Sequence, residues 1–166
     1  MPIIYCRGDL FLAVRTKGVT RIVAHVVNDV GGWGSGFTRS VSRFSPLPAE
    51  RYRSWARGER GEFTLGMVQV VNTHEPHFAI INMLCQHGYS RRLEAAIRYD
   101  SLNQCLEKLG CIAHSLSSGI PSRVEILIPR IGCGLAGGTW DRVEPLIAAN
   151  LADYDVYVYD LASLPT

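Results

Sequence analysis

The 166-residue chain reads as an α/β protein of three layers, α/β/α, around a mixed sheet of about six strands. Three observations predict this. Short apolar, β-branched runs alternate with stretches whose apolar residues recur at helical spacing, the pattern of strands covered by helices on both faces. One pair of runs in mid-chain is joined by a short turn rather than a helix, which puts an antiparallel strand into the sheet. Two apolar runs also empty through glycine loops into helix starts, the layout of a ligand site beyond strand C-termini.

Residues 2–6 form a short apolar run closing on Gly8, a strand that ends in a turn, with Asp9 beyond it able to receive backbone amides. Residues 21–28 are β-branched and continuously apolar, as a strand buried on both faces should be. They run into the loop of residues 29–37, which holds four glycines between positions 31 and 36. Residues 38–44 start a helix and residues 48–57 a second, with Pro48 near its first turn. Residues 66–71 and 77–84 are neighbouring strands joined by the turn Asn72-Thr-His-Glu-Pro76. Residues 85–92 are a loop by composition. From Arg98 on, Leu102, Cys105, Leu106, Leu109, Ile112, Ala113 and Leu116 define one apolar helix face, ended by Gly119 and Pro121. Residues 123–128 are the strand feeding the second glycine loop, residues 131–138. A helix from Trp140 to about Leu151 follows, and residues 155–160 are the last strand. Without repeat, linker or low-complexity stretch, residues 1–166 read as one domain.

Apolar residues at 47% and charged ones at 19% suit a folded domain rather than a disordered segment. A formal charge of +2 is too small to point to nucleic acid. Local arginine clusters, Arg51, Arg53, Arg57 and Arg60 and then Arg91 and Arg92, read as solvated side chains ahead of a polyanion-binding rim. Five cysteines with no CxxC pair and no zinc-type spacing suggest buried thiols in a reducing compartment, and no metal. No leader pattern opens the chain, and no run approaches the ~18 residues that span a bilayer. The expectation is a cytoplasmic protein without membrane contact.

The chemistry concentrates in the glycine loops. Small residues let a backbone approach an anion, and unpaired amides at a helix start point at it with the dipole behind them. Gly132-Cys-Gly-Leu-Ala-Gly137 satisfies GxGxxG after a strand. A dinucleotide fingerprint normally opens its fold, however, and this one begins the last strand–helix–strand unit. There is no GxxxxGK[ST], GxSxG or HExxH. The loops suggest a pyrophosphate-containing nucleotide held by backbone amides without a lysine.

Four stretches then carry a family resemblance: Tyr5-Cys-Arg-Gly-Asp-Leu-Phe11, His25-Val-Val-Asn28 with Gly31-Gly-Trp-Gly-Ser-Gly-Phe37, Pro129-Arg-Ile-Gly-Cys-Gly-Leu135, and Val156-Tyr-Val-Tyr-Asp160. In order, spacing and strand context they resemble the motifs of a macrodomain, across essentially the whole chain. The branch they most resemble is that of the terminal ADP-ribose protein glycohydrolase and its bacterial relatives. The resemblance implies ADP-ribose as ligand, ADP-ribosylated protein or nucleic acid as partner, and no cofactor. Position by position, it implies that Asp9 accepts the adenine amine, beside the backbone of Leu10 and Phe11. Gly32, Trp33, Gly34, Ser35, Gly36 and Phe37 would wrap the diphosphate and distal ribose, with Trp33 as a flap. Ile131, Gly132, Cys133, Gly134, Leu135 and Ala136 would bind the diphosphate from the other side. Tyr159 would lie by the adenine or its ribose, and Asn28 at the distal ribose.

The departures bear on mechanism. In that branch a lysine attacks the anomeric carbon and an aspartate assists; the matching positions here are Gln86 and Ala136, neither of which can do so. An aspartate that another hydrolytic branch carries in the first loop is matched by Ser35. Hydrolysis would then rest on a water set against the distal ribose by Asn28 and Ser35 as catalytic residues, and by the substrate's own phosphate. The expected function is an ADP-ribosyl hydrolase that frees modified macromolecules at ester links to acidic side chains, without a lysine adduct. The alternatives are a non-catalytic ADP-ribose reader, a phosphatase of ADP-ribose phosphate, and an antitoxin that strips ADP-ribose from DNA. Several residues also have plainer readings. Cys133 is a space-filler among glycines, and His25 a hydrogen-bonded core histidine. His87 is an exposed loop histidine or a general base, and Asp29 a loop cap or a water-orienting carboxylate. Trp55 and Trp140 read as helix packing.

Overall fold

Six strands lie in one sheet: β1 (Ile3–Arg7), β2 (Thr20–Asn28), β3 (Val68–Asn72), β4 (Phe78–Gln86), β5 (Val124–Pro129) and β6 (Asp155–Asp160), in the spatial order β1-β6-β5-β2-β4-β3. The computed structural model describes residues 3–13, 17–90 and 94–160. Pro2, Arg91 and Arg92 therefore lie outside the described residues. All neighbours run parallel except β3, which pairs antiparallel with β4 as the mid-chain turn requires. The helices are α1 (Phe37–Phe44), α2 (Leu47–Ala56), α3 (Tyr99–Ser117) and α4 (Trp140–Asn150).

The period of two along β2 sorts its side chains between two cores. Ile22 and Ala24 point to the face covered by α3 and α4, where they join Leu106, Leu109, Val143 and Ile147. Val23 and Val27 point to the other face, under Val41 of α1 and Tyr52 and Trp55 of α2. The sheet is thus covered on both sides, and the three-layer α/β/α reading with a mixed sheet holds. On α3, Leu102, Cys105, Leu106, Leu109 and Ala113 are buried as their spacing predicts, whereas Leu116 is exposed. The helix ends through two left-handed residues, Ser118 at φ 52° and Gly119 at φ 79°.

Two expectations need correction and one element is added. Cys85 and Gln86 belong to β4 rather than to a loop. Gln86 is held in the ladder by Asn28 on one side and by a bridge to Ile97 on the other. A 3-10 turn, Leu10–Leu12, follows β1; one turn is too short to show a periodicity. Of the five cysteines only Cys85 and Cys105 are buried, while Cys6 and Cys133 are half-buried and Cys111 is exposed. No helix among the described residues is long and apolar enough to cross a membrane.

Because β2 pairs in parallel with both β4 and β5, the C-terminal ends of all three strands reach the same edge of the sheet. The glycine loops after β2 and β5 therefore rise side by side, with the chain leaving β4 next to the first. This is the crevice where open α/β sheets take ligands.

Candidate functional site

A cleft of about 1020 Å³ opens along that edge. It is lined by residues 25–28, 32–39 and 129–136, together with Gln86, Tyr89, Ser90, Tyr159 and Asp160. The cleft brings together Asn28, residues 32–37, residues 131–136 and Tyr159. Gln86 and Ala136 line it too, so the two positions matched to the branch's lysine and aspartate share one cavity. Asp9, Leu10 and Phe11 lie outside the lining. Asp9 Oδ1 accepts the Phe11 N–H at 2.9 Å, Leu10 is buried, and Phe11 stacks on Phe37 and Phe44 with centroids 5.9 and 4.8 Å away.

The first loop, residues 29–37, is held by side chains. Asn28 Oδ1 accepts the N–H of Val30 at 3.1 Å and of Gly32 at 2.9 Å, and its Nδ2 donates to Gly32 O at 2.9 Å. The Tyr52 hydroxyl sits 2.6 Å from Asn28 O and 2.8 Å from Asn28 Oδ1. Burial pushes that phenol far up, so it stays a donor. Thr38 Oγ1 accepts the Gly34 N–H at 3.1 Å and donates to Ser35 O at 2.7 Å. Trp33 donates to Ser42 Oγ at 2.8 Å, and its ring meets His25 edge to face at 5.4 Å, so the expected flap is packed into the cleft wall. Gly36, at φ 61°, starts α1 without a side-chain cap, which leaves amides of the first turn open to a ligand.

The second loop is held mainly by its own backbone, with the Ile97 N–H donating to Ala136 O at 3.0 Å from outside it. Its turns close through Ile131 N–H to Pro129 O at 2.7 Å, Cys133 N–H to Arg130 O at 3.2 Å, Gly137 N–H to Gly134 O at 3.0 Å and Gly138 N–H to Gly132 O at 2.7 Å. The amides of Gly134, Leu135 and Ala136 have no protein acceptor among the described residues. A side chain on Gly36 would come within 3.3 Å of Leu135 Cδ1, so the two loops meet at this point above the cleft.

Sequence reasoning gave no role to Tyr89, Ser90, Arg130 or Asp160, all of which line the cleft. The Tyr89 hydroxyl occupies the space that a side chain on Gly32 would need. Ser90 Oγ donates to Leu135 O at 2.7 Å, tying the segment after β4 to the second loop. Arg130 grips Asp160 with two bonds, 2.8 and 3.0 Å, and its guanidinium lies 5.0 Å from the Tyr5 ring and 4.9 Å from the Trp140 ring. Trp140 thus does more than pack its helix. The Pro129-Arg-Ile and Val156-Tyr-Val-Tyr-Asp160 motifs marked Arg130 and Asp160 without a role, whereas Tyr89 and Ser90 carried no signal.

His25 behaves as the core histidine expected, with one addition. Asn82 Nδ2 donates to Pro48 O at 3.2 Å and to Gln69 Oε1 at 3.0 Å, so Asn82 Oδ1 is the acceptor facing His25 Nε2 at 2.6 Å. Nε2 therefore carries the proton, and Nδ1 is a buried lone pair without a partner among the described residues. Burial lowers this imidazole to about 4. Burial likewise raises the Cys133 thiol above its ordinary range. Asp29 and His87, unconnected in sequence, are in contact: His87 Nδ1 lies 2.7 Å from Asp29 Oδ2, and the Gly88 N–H donates to Asp29 Oδ1 at 2.8 Å. Among the described residues no group of three or more His, Cys, Asp or Glu side chains is placed to hold a metal.

No family model matches the chain. A solved macrodomain protein from Streptomyces coelicolor is 41% identical, with a TM-score of 0.79 over 96% of this chain and 99% of that one. A protein of unknown function from Bacteroides thetaiotaomicron is 37% identical, with a TM-score of 0.86 over 97% and 99%. In sequence, the ADP-ribose 1''-phosphate phosphatase of Lodderomyces elongisporus is 24% identical over 162 residues, 96% of this chain and 100% of the relative.

Proposed function

The chain belongs to the macrodomain family, and from that premise we propose that its cleft binds ADP-ribose and that it hydrolyses ADP-ribose from modified macromolecules. The links cleaved are esters to acidic side chains, and no covalent lysine intermediate forms. The observation that carries the reading is the pair of amide rows facing one cleft, at the start of α1 and at residues 134–136, with no lysine between them. Backbone donors in this arrangement suit a diphosphate.

At the distal end the cleft offers polar groups without a nucleophile that forms adducts. Asn28 spends one Nδ2 hydrogen on Gly32 O and keeps the second for a ligand. Gln86 donates to Gly88 O at 3.1 Å and presents its amide oxygen, and Ser35 adds a hydroxyl. These groups orient a water against the distal ribose while the diphosphate anchors the rest, and positioning of this kind supplies much of the rate in such reactions. The name of the Lodderomyces relative favours a second reading, removal of a 1''-phosphate from the same ribose.

Proteins carrying single ADP-ribose groups on Glu, Arg or Ser, ADP-ribosylated DNA, and ADP-ribose 1''-phosphate are the test substrates. Release of ADP-ribose from the glutamate ester is the expected result; release from the phosphate substrate alone selects the second reading. Calorimetric binding of ADP-ribose without release from any substrate would leave a reader module and remove the hydrolase.

A further inference from the structure

A diphosphate brings negative charge into the cleft, and no lysine is there to answer it. Three side chains of the described lining are charged: Arg39, Arg130 and Asp160. Arg130 and Asp160 answer each other through two hydrogen bonds. Arg39 is left over, because no carboxylate among the described residues pairs with it.

Arg39 is the third residue of α1, and a helical side chain leans toward the N-terminus of its own helix. Its Nε donates to Gly34 O at 2.9 Å, which folds the guanidinium back over the first loop. This is the unfavourable end of a helix for a cation, since the macrodipole already places positive charge there. The first turn of α1 holds no acidic residue, and its N-cap, Gly36, brings no side-chain acceptor. The N–H groups of Ser35, Gly36 and Phe37 have no protein acceptor among the described residues. A solvated arginine would swing outward from such a place. This one is bonded into it, and its two terminal nitrogens have no protein acceptor among the described residues. Open amides and one cation thus converge on the cleft wall with no protein anion between them.

We propose that Arg39 is the cationic clasp of the cleft, pairing through its terminal nitrogens with the ligand's diphosphate while Nε stays on Gly34 O. A guanidinium fork matches phosphate oxygens two at a time, and the bond to Gly34 O sets the fork before the ligand arrives. The backbone amides fix where the diphosphate lies, and Arg39 supplies the full charge that they lack. The clasp makes the cleft selective for a charged linker over an uncharged nucleoside. Arg39 is exposed at the cleft mouth, so the contact is open to screening by salt.

The clasp rests on the ADP-ribose-binding half of the function proposed above, and one calorimetric series separates their failures. ADP-ribose is titrated into wild type, Arg39→Gln, Arg39→Lys and Arg43→Gln, with melting temperatures alongside. Each titration is run at about 0.05 M and at about 1 M salt, the latter screening charges beyond roughly 3 Å. Arg43 is the control for net charge: it lies further along α1, outside the cleft lining, with Nη2 donating to Ser40 Oγ at 3.1 Å. At low salt Arg39→Gln is expected to bind about tenfold more weakly than wild type, and at high salt within about twofold of it. Arg39→Lys and Arg43→Gln are expected within about threefold of wild type throughout. Wild-type affinity in Arg39→Gln at low salt overturns the clasp while ADP-ribose binding stands. So does a loss that high salt leaves in place, or one that Arg39→Lys or Arg43→Gln matches in full. A wild-type protein that binds no ADP-ribose overturns both.

Discussion

The two glycine loops have similar compositions and opposite constructions. The loop after β2 is held from outside, by Asn28, Tyr52, Thr38 and Ser42, and its glycines have room. Nothing lies within 4 Å of a side chain placed on Gly34, and the nearest neighbours of one placed on Gly32 are the side chains of Tyr89 and Asn28. The loop after β5 is held by its own turns, with Ser90 and the Ile97 N–H added from outside, and three of its four glycines, Gly132, Gly137 and Gly138, are wedged. A Cβ on Gly138 would lie 2.5 Å from Gly132 O, and one on Gly132 would lie 3.1 Å from Ile97 Cδ1. Glycine in a strand-to-helix loop is thus two different signals. In the first loop it supplies conformational freedom; in the second, Gly132 and Gly137, at φ 74° and 77°, supply that freedom together with an absence of volume, and Gly138 supplies the absence of volume alone. Side-chain movement can reshape the first wall of the cleft, whereas the second is anchored in the core through Ile131 and Ala136.

The largest contrast should come from alanine at one glycine of each loop. Gly138→Ala drives its Cβ into a backbone carbonyl, which no rotamer relieves, and should cost about 3 kcal/mol, the upper end for overpacking. Its ADP-ribose affinity should fall together with stability. Gly32→Ala meets the end of a mobile phenol, and rotation of the exposed Tyr89 relieves it at under about 1 kcal/mol. Urea unfolding of the two variants decides the matter. Equal losses would mean that both loops are wedged and that the contrast is false.

A change of pH should act on the first loop only. Its Trp33 rests on His25, whose folded value of about 4 lies below the ordinary 6.5. Between those values the unfolded chain binds a proton that the folded one refuses. Stability is therefore full above pH 6.5 and falls as pH drops toward 4, by roughly 3 kcal/mol in all. His25→Gln keeps a donor for Asn82 and cannot titrate, so its unfolding energy should lose correspondingly less between pH 7 and 4. Parallel curves for the two proteins would show that other groups govern the acid loss.

The same contrast marks what could be read from the sequence. The six strands, the four helices and both glycine loops were legible because each rests on a local signal: a continuous β-branched apolar run in β2, helical spacing in α3, glycine clusters after apolar runs. The Tyr52–Asn28 and Asp29–His87 contacts, 24 and 58 residues apart, were not. Such pairs are made by strand adjacency and helix packing, and a single side-chain hydrogen bond leaves no periodic trace. Leu10 and Phe11 show the reverse difficulty. Their motif position was legible, but the motif does not reveal that Leu10 is buried and Phe11 lies in an aromatic stack.

The smallest effects should come from dismantling the first loop's scaffold one partner at a time. Asn28→Ala removes the acceptor of two loop amides and the donor to Gly32 O, and should cost about 2 kcal/mol, with weaker ADP-ribose binding as well as slower turnover. Tyr52→Phe removes a single hydroxyl whose acceptors include Asn28 Oδ1, which keeps its amide donors, and should cost about 1 kcal/mol. The two losses should not add, because both act through Asn28, and a double mutant is expected to fall short of their sum. Additive losses would mean that Tyr52 stabilises α2 independently of the loop. If Asn28→Ala instead slowed turnover with stability and affinity intact, Asn28 would touch only the reacting ribose, and the scaffold would have to be sought in Thr38 and Ser42.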